Sequence, residues 1–414
     1  MPTKQDAPEG NQPEVNIGIV GHVDHGKTTL LEQLSGKWAD THSEEIKRGI
    51  TIRLGYADVQ FYKHKKDGSF ATELVAKKTE GVYEKSRKVS FVDAPGHESL
   101  MATMLAGATI IDGAILLISA TEKCPQPQTK EHIMALEIIG VKNLVVIQNK
   151  IDLVTEEEAM KNYVQIQAFL KETPFKGAPI IPLSAQHGAG MSALIGALDE
   201  VIPTPERDVK ADPRFLVARS FDINKPGTPI EKMVGGVLGG VLKQGTFKPG
   251  DEIEIKPGYD KEEKNQRIWI PVTTTITAVH SGGKDLKEAV PGGSIGIQTL
   301  LDPSVVSSDR LSGSVAGLKG KLPAVWQSLK LEVHLLDRVV GVKKDQKVEQ
   351  IIRAETLMLN VNSTATVGRV QLVKKGITDV LLKLPVCADV GARVTISRMV
   401  GNRFRLIGYG IIKE

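Results

Sequence analysis

The residue pattern predicts a multi-domain chain: an α/β domain whose mainly parallel sheet is flanked by helices, followed by two antiparallel β-barrels. Three observations carry this. Short apolar runs alternate with helix-period segments as far as Ile202, the rhythm of buried strands covered on both faces. At PTPERDVKADPRF three prolines and a run of charges break that rhythm. Beyond it, β-branched runs separated by glycine-rich turns replace the helical patterns, as antiparallel barrels require. A chain of 414 residues is also longer than one hydrophobic core serves.

The elements follow in order. MPTKQDAPEGNQ has no apolar periodicity and reads as a disordered tail. EVNIGIVG is a strand ending in glycine, and TTLLEQLSG has the spacing of an amphipathic helix that stops at Gly36. VSFVDAPG leads to a helical stretch from Glu98, GAILLISA to KEHIMALEIIG, NLVVIQNK to EEEAMKNYVQIQAFLKE, and APIIPLSA to MSALIGALDEVI. Strands such as GGVLGGVLKQGTFKPGDEIEIKPG and ITAVHSGGKDLKEAVPGGSIGIQTL build the first barrel, and a fresh set begins near KLPAVWQSLKLEVHLL. The expected divisions are a tail at 1–12, the α/β domain at 13–207, and barrels at 208–325 and 326–414.

Composition narrows the function classes. The chain is 41% hydrophobic and 25% charged, as ordinary globular proteins are. No apolar run approaches the roughly 20 residues of a membrane span, and the N-terminus is polar; the expectation is a cytoplasmic protein with no membrane partner. Cys124 and Cys387 are too few and too far apart for a disulfide framework or a cysteine zinc site. The net charge is +4, but Trp326 to Glu414 holds 15 Lys and Arg against 8 Asp and Glu. That surplus suits phosphates, and a solvated mixed surface accounts for it equally well.

GHVDHGKT, from Gly21 to Thr28, matches G-x-x-x-x-G-K-[ST] between the first strand and the first helix, the context of a phosphate-binding P-loop. Its glycines let the backbone wrap phosphates; Asp24, His25, Gly26, Lys27, Thr28 and Thr29 form the candidate cradle, with Lys27 against phosphate charge and the Thr28 hydroxyl directed at Mg²⁺. His22 and His25 flank Asp24 but read as loop residues shaped by the turn, while Asp24 is a candidate for a second cation. NKID supplies Asn149, Lys150 and Asp152. A carboxylate at Asp152 accepts from guanine N1 and N2, which adenine cannot match. Asn149 is expected at the base's other edge and the Lys150 stem across its face. Ser184, Ala185 and Gln186 complete the base site with backbone donors. These motifs identify a P-loop GTPase that binds GTP and GDP.

In FVDAPGHESLMATM, Asp93 ends a strand as a Mg²⁺-directed carboxylate does, Gly96 offers an NH to the γ-phosphate, and His97 stands where a switch keeps the group that orients water. A helix-start capping role is the alternative for His97. RGITIR supplies Thr51 as the hydroxyl that closes over phosphate and Mg²⁺.

GHVDHGKT, DAPGH and NKID together resemble the translational GTPases, the family of elongation factor Tu, whose two-barrel tail also matches. SEEIKRGITIRLGYAD, the run from PGHESLMATM to QNKID, RSFDINKPGT and ETLMLNVNSTATVGRVQ resemble more narrowly the gamma-subunit family of translation initiation factor two, in its archaeal form, from about Pro13 to the end. The resemblance implies a protein-synthesising GTP hydrolase at the core of a heterotrimer with alpha and beta subunits. It implies delivery of methionylated initiator tRNA to the small ribosomal subunit, with the aminoacyl end held between the nucleotide domain and the first barrel. Many relatives carry a four-cysteine zinc knuckle between the two switches. The matching segment, FYKHKKDGSFATELVAKKTEGVYEKSRK, has no cysteine, and His64 alone cannot hold zinc. Its Lys63, Lys65, Lys66, Lys77, Lys78, Lys85, Arg87 and Lys88 favour a solvated hairpin or disordered loop over an RNA-contacting arm. An elongation-type or selenocysteine-specific tRNA carrier, and a scaffold with structural nucleotide, stand as alternatives.

Overall fold

A computed structural model describes residues 12–36, 55–79, 81–93, 110–225, 227–264, 266–339, 346–374 and 376–414. The first domain carries β1 (Val15–Gly21), α1 (Lys27–Ser35), β2 (Gly55–His64), β3 (Phe70–Thr72), α2 (Glu73–Ala76), β4 (Tyr83–Asp93), β5 (Gly113–Ser119), α3 (Pro127–Ile139), β6 (Leu144–Asn149), α4 (Glu156–Lys171), β7 (Ile180–Pro182) and α5 (Met191–Val201). The sheet order is β3-β2-β4-β1-β5-β6-β7. β4, β1, β5, β6 and β7 run parallel, whereas β2 joins β4 and β3 antiparallel. Successive residues of a strand point to opposite faces. In β5, Ile115 and Leu117 therefore pack under α1 and α5, and Leu116 and Ile118 under α3 and α4. A capping box starts α4: Thr155 Oγ1 accepts from Glu158 N, and the Glu158 carboxylate accepts from Thr155 N at 2.9 Å.

The first barrel is built from β8 (Arg214–Phe221), β9 (Val237–Gln244), β10 (Glu252–Glu263), β11 (Gln266–Ser281), β12 (Lys284–Leu286), β13 (Ile295–Thr299) and β14 (Val315–Leu318). It runs β10-β14-β8-β9-β13-β11 and closes where β10 pairs with β11, with β12 added at β11. The second runs β15-β18-β17-β16-β19-β20, from β15 (Val325–Leu335) through β16 (Thr356–Val361), β17 (Thr364–Lys374), β18 (Ile377–Cys387) and β19 (Arg393–Val400) to β20 (Arg403–Lys413). Closure leaves no exposed sheet edge in either ring. Among the described residues no helix is long and apolar enough to cross a membrane.

Two sequence expectations need correcting. Gln12, assigned to the tail, is buried, and its side-chain amide donates to the Gly292 carbonyl of the first barrel at 2.6 Å. The insert is a hairpin integrated into the sheet, and Arg87 is not solvated. Its guanidinium is buried and donates to the carbonyls of Leu198 at 3.0 Å and Ile202 at 2.6 Å, capping the C-terminus of α5. A cation there meets the negative end of the helix dipole, which is why a basic residue is tolerated inside. His64 closes the hairpin's far end, its Nδ1 accepting from the Lys66 and Asp67 amides at 3.3 and 3.2 Å.

Helix α3 packs on the second barrel. Glu131 pairs with Arg405 of β20, both nearly fully buried, and Arg393 of β19 donates to the Ile138 carbonyl at the helix end.

Candidate nucleotide site

The loop between β1 and α1 is shaped by its glycines and its backbone. A Cβ on Gly21 would stand 2.6 Å from the Leu117 carbonyl oxygen, and one on Gly26 2.4 Å from Asn149 Nδ2. Gly26 and Asp24 adopt positive φ angles of 96° and 63°; any larger residue at Gly26 meets both a clash and an unfavourable backbone. Gly26 caps α1 without a side-chain bond, so the first-turn NH groups remain directed into the loop. Lys27 is buried and its Nζ donates to the Gly21 and His22 carbonyls, each at 2.9 Å. Thr28 and Thr29 follow, both half-buried.

Asp93 lies at the C-terminal end of β4, fully buried, and the Thr28 hydroxyl stands 3.4 Å from its carboxylate. A hydroxyl and a carboxylate this close are hard oxygen donors of the kind Mg²⁺ takes. Asp24 is exposed at the loop tip. Among the described residues no three His, Cys, Asp or Glu side chains gather as a metal cluster. Thr51, Gly96 and His97 lie outside the described residues, as does the helix expected from Glu98.

The histidines of the loop have separate surroundings. His25 is fully buried; its Nδ1 pairs with the Leu117 carbonyl at 2.9 Å and its Nε2 stands 3.4 Å from Glu122. Burial pushes its pKa down, opposed by Leu117 and Glu122. The His25 side chain anchors the back of the loop to β5, as a loop residue shaped by the turn does. His132 of α3 lies behind the loop, its pKa pushed down to about 3 by burial and then by Lys27, His22 and His25. Nothing in the local sequence pattern marks it as a neighbour of the P-loop.

Asn149 has partners on two loops. Its Nδ2 donates to the His25 carbonyl at 2.8 Å and its Oδ1 accepts from Ala185 N at 2.9 Å. The side chain is buried and spans the phosphate loop and the base loop, and its Nδ2 keeps a second N–H beyond the bond to His25. Asn149→Ala leaves two buried backbone groups unpaired, each costing about 1–3 kcal/mol. The expected result is a stability loss of about 2–4 kcal/mol together with weaker binding of both GTP and GDP; calorimetry and nucleotide titration check it, and unchanged affinity would remove the strut from the account.

Lys150 takes a positive φ of 63° and opens the short turn Ile151–Leu153 that presents Asp152. The Asp152 carboxyl is held below its usual range first by the Ser184 hydroxyl, and then by His187 and Lys150; His187 Nε2 is 3.7 Å away. Ser184 and Ala185 are buried, Ser184 bridges to Ala189, and Gln186 is exposed. The structure thus brings together the P-loop, Asp93, the NKID turn and the SAQ loop at the C-terminal edge of one parallel sheet, where open α/β sheets bind ligands.

A second feature escaped the motif reading. A cavity of about 630 Å³ lies between the first domain and the first barrel, with Tyr56 and Tyr62 of β2 on one side and Arg219, Phe221, Gly239 and Gly240 on the other. Its residues come from seven strands, two helices and the β11–β12 turn, and no spacing rule joins them.

Comparison with known proteins fits this architecture. Residues 12–204 match the family model of the elongation factor Tu GTP binding domain, 235–305 that of elongation factor Tu domain 2, and 327–412 that of the initiation factor eIF2 gamma C-terminal domain. The chain is 55% identical over 403 residues to translation initiation factor 2 subunit gamma of Pyrococcus horikoshii, covering 97% of this chain and 98% of that one. It is 56% identical over 405 residues to the protein of the same name from Methanococcus vannielii, covering 97% and 99%. Among solved structures, a bacterial selenocysteine-specific elongation factor, EF-Sec, superposes with a TM-score of 0.73 at 24% identity, over 97% of this chain and 58% of that one. Elongation factor SelB of Methanococcus maripaludis, in complex with the GTP analogue GppNHp, superposes with a TM-score of 0.71 at 22% identity, over 98% and 80%. At that identity the likeness is one of fold.

Proposed function

Because the chain belongs to the gamma-subunit family of translation initiation factor 2, a family of GTP-hydrolysing initiation factors, we propose that it carries methionylated initiator tRNA to the small ribosomal subunit. In this reading it works in the cytoplasm as the core of a heterotrimer with alpha and beta subunits, and hydrolysis of GTP times release. The observation that carries the reading is identity near 55% running through the nucleotide domain and both barrels, including the gamma-specific C-terminal match. Selenocysteine-specific factors share the fold at 22–24% identity, which carries no claim about cargo.

The residues divide the work as follows. Lys27, held on two loop carbonyls, and the first-turn amides of α1 bind and offset phosphate charge. Asp152 and the amides of the 184–186 loop select guanine, with the Lys150 stem on the base face. Asn149 and His25 hold the two loops in register. Thr28 and Thr51 are the ligands we assign to Mg²⁺, with Asp93 acting through water; the ion would neutralise phosphate charge when bound. Gly96 donates to the γ-phosphate, and His97 orients the attacking water. The cavity between nucleotide domain and first barrel is the place for the aminoacylated end.

His97→Ala is expected to leave GTP affinity within about twofold and to slow ribosome-stimulated hydrolysis about a hundredfold or more; unchanged single-turnover rates exclude the role. For the cargo, GTP-loaded protein is challenged with a mixture of charged tRNAs. Initiator Met-tRNA retained in the GTP state and released in the GDP state is the expected outcome, and equal retention of elongator tRNAs overturns the carrier reading.

A further inference from the structure

A second cavity, of about 360 Å³, lies at the opposite edge of the nucleotide domain's sheet. It is framed by the turns that enter β5 and β6, by Pro203 and Pro205 of the linker, and by Lys243 of β9 in the first barrel. Because β5 and β6 are parallel, their starts lie here and their ends, with Asn149, at the nucleotide loops. The seven residues of β5 set the two sites about 20 Å apart. No residue of this cavity lines the nucleotide site or the larger cavity beside Tyr56.

The charges around it do not balance. Asp112 Oδ2 accepts from Arg207 Nη2 at 2.6 Å and from the Asn16 amide at 2.9 Å. With the two side chains at 8% and 10% exposure, that pair is neutral and closed. Lys243 is a second cation near the same carboxylate. It forms no ion pair and no hydrogen bond among the described residues. Burial pushes its pKa down, while Asp112 opposes and Arg207 reinforces the shift. Lys142 adds a third cation at the exposed rim, so three cations face one carboxylate. An ammonium taken out of water is costly without a counter-charge, and the space beside this one admits an anion. The remaining walls are hydrocarbon: Ile111, Ile139 and Val141 on one side and the two linker prolines on the other. An inorganic anion gains nothing from them, whereas each methylene buried against such walls tightens binding about fourfold.

We propose that this cavity is an effector site for a small aliphatic carboxylate, whose charge meets Lys243 and Lys142 and whose hydrocarbon body lies against the isoleucines, Val141 and the linker prolines. Seated there, the ligand touches the nucleotide domain, the linker and the first barrel at once, and so strengthens the docking of the two domains. Nothing in this site depends on which tRNA the chain carries.

Butanoate, pentanoate and hexanoate, with hexanamide as the uncharged counterpart, are titrated into the full GDP-loaded chain by calorimetry. The expected result is a hexanoate Kd on the order of 1 mM and affinity rising about fourfold per methylene along the series. Hexanamide is expected to bind at least about tenfold more weakly, the charge-assisted contact being lost. Hexanoate at about ten times its Kd should raise the melting temperature of the wild type by about 3 °C. Lys243→Met keeps the stem and removes the charge; it is expected to weaken hexanoate binding about tenfold or more and to leave GDP and GTP affinity at the wild-type level. Without ligand this variant should melt no lower than the wild type, because an uncompensated buried cation is gone, which separates a lost site from a lost fold. Lys142→Ala, an exposed change at the rim, is the second variant and is expected to weaken hexanoate binding about threefold. A flat chain-length series, equal binding of hexanamide, wild-type affinity in both lysine variants, or no binding of hexanoate well above the expected Kd overturns the proposal.

Discussion

Asp152→Asn is expected to lower GTP affinity by about a hundredfold or more, and to raise affinity for xanthosine triphosphate. In the proposed assignment the carboxylate accepts two hydrogen bonds from guanine, and bonds to a charged acceptor contribute about 1.5–3 kcal/mol each. Replacing one oxygen by NH₂ loses a bond and sets donor against donor, so about 3 kcal/mol, near a hundredfold, is the expected size. Xanthine presents a carbonyl where guanine has its amino group, and the new amide donates to it. The substitution changes little in shape, and the turn Ile151–Leu153 is held by its backbone, so folding is expected to survive. Because the Asp152 pKa is held below the ordinary carboxylate value of 3.8, the accepting form persists at every pH above that value. Wild-type GTP affinity should therefore be flat across neutral pH as far as this group is concerned. Competition among GTP, ATP and XTP reads the outcome, and unaltered selectivity for GTP in the variant would falsify the assignment of Asp152.

The second large effect concerns Arg405→Met. Arg405 covers the Glu131 carboxylate at the contact between α3 and the second barrel, and both side chains are nearly solvent-free, at 11% and 4% exposure. Removing one member of a buried pair leaves an uncompensated charge, at a cost of about 3–5 kcal/mol. In this multidomain chain the loss is expected as earlier thermal unfolding of the second barrel rather than as one shifted transition. Burial already raises the Glu131 pKa above its usual 4.5 despite Arg405. Without the guanidinium it rises further, so the folded state holds the proton more tightly than the unfolded chain does. The sign follows: the deficit is small in acid and grows as pH rises from the ordinary glutamate range near 4.5. Differential scanning calorimetry across pH checks this, and a deficit independent of pH excludes the buried charge as its source. Adding Glu131→Gln to Arg405→Met is expected to recover most of the loss, because no buried ion then remains.

What the sequence revealed here divides along a physical line. GHVDHGKT, NKID and the strands that precede them are legible because a phosphate loop is local: a strand, glycines that permit positive φ, a lysine and a helix occupy consecutive residues. The barrels are legible in the same way, from glycine turns between β-branched runs. What was hidden are pairs distant in sequence. Asn149 meets His25 and Ala185, Arg87 meets Leu198 and Ile202, and Glu131 meets Arg405. Each is a polar group whose burial only tertiary packing dictates, and composition alone reads such groups as solvated. The lysines of the insert illustrate the limit: Lys65 and Lys66 are exposed as expected, whereas one neighbour caps a helix and others line a cavity.

The strut formed by Asn149 bears on the energetics of each catalytic round. Because one amide ties the carbonyl of His25 to the amide of Ala185, the loops we assign to phosphate and base are joined by the protein's own hydrogen bonds. The conformational entropy of bringing them together is met once, when the chain folds, and not again at every exchange of GDP for GTP. Under the proposed assignment, binding free energy from the guanine contacts is therefore not spent on joining the two loops.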